Sequence, residues 1–156
     1  VDLNGDLWYC SGGTPRRWHK LNQPSFHPLA PTRVYDSRRP APTPGTLATG
    51  LNRLVSVADA RNISTGAVTV ADVVPANATA IAANVTVTGT SGSGFLAINP
   101  GSDTVVAAST INWFGAGQTL ANGVVLTLNT ARQVTVICGG SAGATHFVID
   151  VTGYFL

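Results

Sequence analysis

The groups in this 156-residue chain that could do chemistry are seven aspartates, three histidines and nine bases; there is no glutamate. Asp2-Leu3-Asn4-Gly5-Asp6 offers oxygen ligands at alternate positions, as a calcium loop begins. Its glycine comes one place early, however, and no Glu exists to close the loop. A tight Asn-Gly turn accounts for the same residues, so no metal is expected there. Tyr35-Asp36-Ser37-Arg38-Arg39 gathers polar groups at the end of a strand-like run. Asp36 has the chemistry of a general base. The simpler reading is a structural corner, in which Asp36 caps the turn or pairs with Arg38 through a bidentate guanidinium–carboxylate contact. Arg38 is then free to cross to a neighbouring strand or subunit. His19, His27 and His146 have no ligand partner at close spacing and make a metal site only if the fold gathers them. Ser, His and Asp are all present, but no Gly-x-Ser-x-Gly elbow presents a nucleophile. The expectation is a protein that is not an enzyme, with no catalytic residue, no cofactor and no metal.

Other clusters point to contacts. Arg16-Arg17-Trp18-His19-Lys20 mixes bases with an aromatic, as nucleic-acid surfaces do. The net charge is only +2, and strand alternation sets Arg17 and His19 opposite Trp18. Arginines also guard exposed strands against edge pairing. Nucleic acid is not the expected partner; an acidic protein or a host-surface polyanion fits the cluster better. In Asn112-Trp113-Phe114-Gly115-Ala116-Gly117-Gln118 the adjacent aromatics must face opposite ways on a strand. One is expected in the core. The other, with Asn112 and Gln118, is expected at a subunit interface, or against a sugar ring held by stacking and amide hydrogen bonds. Cys10 and Cys138 each end a strand-like run before glycine. They are expected to form a disulfide, the other reading being two buried free thiols. Asp150 lies in the apolar run from Phe147 to Leu156, where a lone carboxylate is costly. Arg33 and Arg38 are its candidate ion-pair partners.

The elements that must position these groups are strands. Eight of the nine bases precede Asn62, and the rest of the chain holds one base, Arg132, and the acids Asp72, Asp103 and Asp150. That stretch is Ala, Val, Thr, Ser, Asn and Gly in short alternating runs, a pattern for β-structure with hydroxyls and amides outside. Only 10% of residues are charged, well below the usual quarter. No apolar run approaches the roughly 20 residues that span a bilayer, so no membrane insertion is expected. Strands are expected over Asp6–Cys10, Arg16–Leu21, Thr32–Asp36, Leu51–Val57, Ala67–Val74, Ala80–Gly89, Phe95–Ile98, Ser109–Trp113, Asn122–Leu128, Gln133–Cys138 and Thr145–Phe155. The clearest is Ala80–Gly89, with Ile81, Ala83, Val85 and Val87 on one face. Asp59-Ala60-Arg61 has room for one helical turn. The fold class expected is all-β: an antiparallel β-sandwich of jelly-roll type over residues 31–156, preceded by a small N-terminal β-hairpin and extended connector over residues 1–30.

Six segments in order carry a family likeness: residues 31–38 (PTRVYDSR), 78–88 (ATAIAANVTVT), 94–98 (GFLAI), 109–113 (STINW), 117–122 (GQTLAN) and 147–155 (FVIDVTGYF). Together they resemble a β-domain of secreted and cell-surface proteins of actinobacteria, found also in structural proteins of the bacteriophages that infect them. Residues 4–18 resemble the small hairpin of phage tail-fibre and minor tail proteins. The resemblance implies a non-enzymatic structural or adhesive protein of a virion: a tail-fibre or tail-tip domain, or a capsid decoration subunit. Its partners would be other virion proteins or a host-surface glycan. A homo-oligomer is implied, with a homotrimer suggested because fibres and capsid threefolds use trimers. The alternative is a secreted or cell-surface carbohydrate-binding or adhesion module of a bacterium. In either setting the triplets at Asn62, Asn77 and Asn84 have no role as glycan acceptors.

Overall fold

A computed structural model describes residues 7–20 and 25–156, with the side chains of His19 and Lys20 left out. The described residues form thirteen strands and no helix. They are β1 (Trp8–Ser11), β2 (Arg17–Lys20), β3 (Phe26–Asp36), β4 (Leu47–Ala48), β5 (Asn52–Ser56), β6 (Ala60–Arg61), β7 (Val68–Val70), β8 (Ala80–Ser91), β9 (Gly94–Pro100), β10 (Ile111–Trp113), β11 (Leu120–Thr127), β12 (Gln133–Gly139) and β13 (Ala144–Phe155). One sheet has the order β10-β9-β12-β5. The other has the order β11-β8-β13-β3, with β4 also on β13. All pairings are antiparallel. The hairpin β1-β2 and the ribbon β6-β7 stand apart from these two sheets.

One apolar core joins the sheets. Ile81, Ala83, Val85 and Val87 of β8 face it, as their alternation requires, together with Phe147, Ile149 and Val151 of β13. Leu96, Trp113, Val134 and Val136 meet them from the other sheet. The expected all-β sandwich is therefore the fold; the strand orders do not by themselves establish a jelly-roll winding.

Several local expectations change: the strand expected over 67–74 is only Val68–Val70, with Asp72 at positive φ, and the one expected over 109–113 begins at Ile111. The strand expected over 32–36 runs back to Phe26, pairing Phe26, His27 and Pro28 with Phe155, Tyr154 and Gly153. Prolines are tolerated there because β3 is an edge, where a missing N–H breaks no ladder. Ala60 and Arg61 form strand β6 and not a helical turn. Strand β12 is buried on both faces. On its outer side Ser102 N–H donates to Thr135 Oγ1 (2.8 Å), and beside it on β9 Asn99 Nδ2 donates to the Val105 carbonyl (2.7 Å).

Candidate functional site

The main cluster of charge lies where β3 meets β13. Arg33 sits directly across from Asp150 in the ladder. Its Nε and Nη2 reach the two Asp150 carboxylate oxygens at 2.5 and 3.2 Å, and its Nη1 donates to Asp36 Oδ2 at 2.8 Å. Arg38 grips Asp36 through Nε (2.8 Å) and Nη2 (2.7 Å), and its backbone N–H caps the same carboxylate at 3.0 Å. Arg39 Nε lies 3.5 Å from Asp36 Oδ2. Of the two candidates, Arg33 is thus the hydrogen-bonded partner of Asp150, while Arg38 holds Asp36.

Burial alone would push the Asp36 carboxyl up. The Arg38 side chain and N–H, with the charges of Arg38 and Arg33, outweigh burial and hold it below the usual carboxylate range. An acid so held is a poor proton acceptor, which fits a corner better than a general base.

Beside it, Ser37 Oγ is hydrogen-bonded to His146 Nδ1 (3.0 Å) and accepts the Phe147 N–H (2.9 Å). Ser37 is fully buried, so no carbonyl can approach its hydroxyl as the fold stands. The pair ties β13 to the turn after β3. His27 bonds Ser25 (2.8 Å) and stacks on Tyr154. The fold brings neither of these histidines to the other's site, and no His, Cys and Asp group among the described residues could hold a metal ion. The Asp2–Asp6 segment and the His19 side chain lie outside the described residues.

Sequence reasoning missed the role of Arg53. Its guanidinium stacks over the Phe147 ring at 5.7 Å and donates to the Tyr35 hydroxyl (2.7 Å) and the Gly45 carbonyl (3.0 Å). Tyr35 in turn donates to the Thr43 carbonyl at 2.7 Å. One base thus pins the proline-rich loop. The only signal in the sequence is a lone Arg inside an apolar run.

In the 112–118 loop the structure assigns the aromatics. Trp113 is buried, its indole lying over Gly94 and Gly143, where a Cβ would strike the ring. Phe114 is 84% exposed. Gln118 Oε1 accepts the N–H groups of Phe114 and Gly115, and Asn112 Nδ2 donates to Ser109 Oγ. Of the four expected contact residues, Trp113 is core, Gln118 and Asn112 brace the loop, and Asn112 and Phe114 are exposed, with Phe114 the aromatic that projects.

The expected Cys10–Cys138 disulfide is not formed; both thiols are free. Cys138 faces the core on β12, whereas Cys10 is exposed on the hairpin, opposite Trp18. Burial raises the Cys138 thiol pKa. On the same hairpin Trp18 is 67% exposed.

The outward face of the five-stranded sheet is broad and mostly uncharged. Strand β8 contributes Ala82, Asn84, Thr86 and Thr88, and β11 contributes Ala121, Gly123 and Val125 opposite them. The Thr88 and Thr119 hydroxyls bond across the strands at 2.8 Å. No family model, curated protein or solved structure matches the chain.

Proposed function

We propose that this chain is a non-enzymatic structural and adhesive protein of a bacteriophage particle, acting as a tail-fibre or tail-tip domain or as a capsid decoration subunit. The observation that carries the reading is the outward face of β8 and β11, formed of hydroxyls, amides and methyls, beside carboxylates that are already held by arginines. Such a face recognises partners by shape and hydrogen bonding, and many weak copies add to a firm hold. The sequence resemblance supplies the particle context. Mass spectrometry of purified virions tests it directly: the chain is expected among the particle proteins. Its absence there, with turnover of a substrate that is lost on changing Asp36 or His146, would overturn the reading.

A second reading, a carbohydrate-binding or adhesion module at a bacterial surface, is favoured by one feature. Phe114 projects as sugar-stacking rings do. Retention on cell-wall glycan, abolished by Phe114→Ala, would select it. Trp113→Ala is unsuitable for that purpose because it empties the core.

A further inference from the structure

The two sheets end in four edge strands, and three of them are guarded. β3 carries Pro28 and Pro31 and has two register shifts against β13. β10 is three residues long. β5 carries Arg53, which points inward over Phe147. Prolines, irregular register, shortness and inward charges are the devices that stop sheet edges from pairing with other chains. β11 has none of them. Its eight residues, Leu120–Thr127, include no charge and no proline, and its register against β8 is unbroken from Leu120↔Val87 to Thr127↔Ala80. Val125 on this strand is 65% exposed.

We propose that β11 is a self-association edge, on which a second copy of this chain adds its own β11 antiparallel across a two-fold axis. Side chains keep to their own face only if paired residue numbers sum to an even value. Centring the axis on Gly123 sets Gly123 against Gly123 of the second copy, Val125 against Ala121, and Thr119 against Thr127. Inside, Leu120 meets Leu126. On the outer face the bulky Val125 then lies beside the small Ala121, and the Thr119 and Thr127 hydroxyls face one another, a favoured cross-strand pair.

The ends of the strand agree with this register. The exposed Phe114 lies just before β11. A surface hollow of about 270 Å³ lies just after it, lined by residues including Ala76, Ala78, Leu128 and Thr130. The antiparallel pairing brings the Phe114 loop of one copy beside residues 128–132 of the other, at the hollow. A cavity of about 150 Å³ suffices for a benzene ring, so the hollow has room for the phenyl group. The inference does not depend on the particle assignment, and it replaces the suggested trimer with a dimer.

The test is sedimentation equilibrium of the full chain with its variants. Wild type is expected to be a dimer. Val125→Lys is expected to be a monomer with unchanged circular dichroism and melting, because the side chain it replaces is exposed. Phe114→Ala is expected to weaken dimerisation about tenfold or more. Gly123→Cys, in a Cys10→Ser background, is expected to oxidise to a cross-linked dimer. A Cβ at Gly123 meets nothing within 4 Å in one copy, and directly opposed strand residues lie within disulfide reach. A monomeric wild type, a trimer, or a dimer that Val125→Lys leaves intact overturns the proposal. A dimer that Gly123→Cys fails to cross-link overturns the Gly123-centred register.

Discussion

Asp36 accepts four hydrogen bonds, from two arginines and one backbone N–H, and is itself almost fully buried. Removing one member of such a set leaves uncompensated charge, so Asp36→Ala should cost about 3–5 kcal/mol. The pH dependence has a definite sign. The folded carboxyl holds its proton less readily than the unfolded one, which titrates near about 3.9. Its stabilisation is therefore complete well above that value and is lost as the pH falls through the lower, folded value. Asp36→Asn cannot ionise. It should be less stable at neutral pH and lose less stability than wild type between about pH 5 and about pH 2. Urea unfolding midpoints across that range are the measurement, and parallel curves for the two proteins would assign the acid sensitivity elsewhere.

The thiols make a second residue-scale case. Cys10 is exposed and Cys138 is buried with its pKa raised, and the thiolate is the reactive form. A thiol reagent at mildly alkaline pH should label Cys10 in the native chain, and Cys138 only after denaturant is added. Peptide mapping distinguishes the sites; equal labelling in the native state would contradict the burial.

Among the elements, Trp113 shows how far apart in sequence the parts of one packing unit lie. Its indole is bracketed by Gly94 at the start of β9 and Gly143 before β13, and its Nε1 donates to the Ser91 carbonyl (3.5 Å). Gly94→Ala would drive a methyl into the ring and the Gly139 carbonyl. Overpacking of this kind costs about 1–3 kcal/mol, and Trp113→Ala about 3–5 kcal/mol. Chemical denaturation should rank the two in that order; a neutral Gly94→Ala would show that the ring can move aside. The sequence pattern required one aromatic of Trp113-Phe114 to be buried. It could not say which, because the deciding glycines lie 19 and 30 residues away. Strand β8 was legible because one face is core and the other is open. β12 was legible as a strand over 133–138, but not as one buried on both faces, since the burial of Thr135 and Ile137 on its outer side depends on segments distant in sequence. The Arg33–Asp150 pair was half legible: a carboxylate in an apolar strand demands a base, but choosing between Arg33 and Arg38 needs the ladder register. The disulfide failed for a related reason. A cysteine at the end of a strand run does not reveal which face it occupies.

At the scale of the whole molecule, the edge strands of the two sheets differ in charge. Arg33, Arg38 and Arg39 gather with Asp36 and Asp150 where β3 borders its sheet, and Arg53 lies on β5, an edge of the other sheet. Strands β10 and β11, the remaining edges, carry no charged residue. Part of the chain's uneven sequence of bases thus becomes a spatial one: the Asp36 and Asp150 ion pairs gather at the β3–β13 border, the Arg132–Asp72 pair lies apart from them, and β10 and β11 are neutral edges. The two kinds of edge should answer differently to salt. Exposed charges are screened over about 10 Å at 0.1 M ionic strength, and charged interfaces weaken as salt rises. Strand β11 itself brings no charge to the contact, and Arg132 just beyond it is already paired with Asp72. The dimer dissociation constant should therefore not rise as sodium chloride is raised from low to molar concentration, because the β11 pairing holds no charged contact for the salt to screen. If association instead weakens steadily with added salt, the contact lies on the arginine-bearing edges or the basic β2 hairpin. Sedimentation across a salt series, repeated with Val125→Lys, separates those two outcomes.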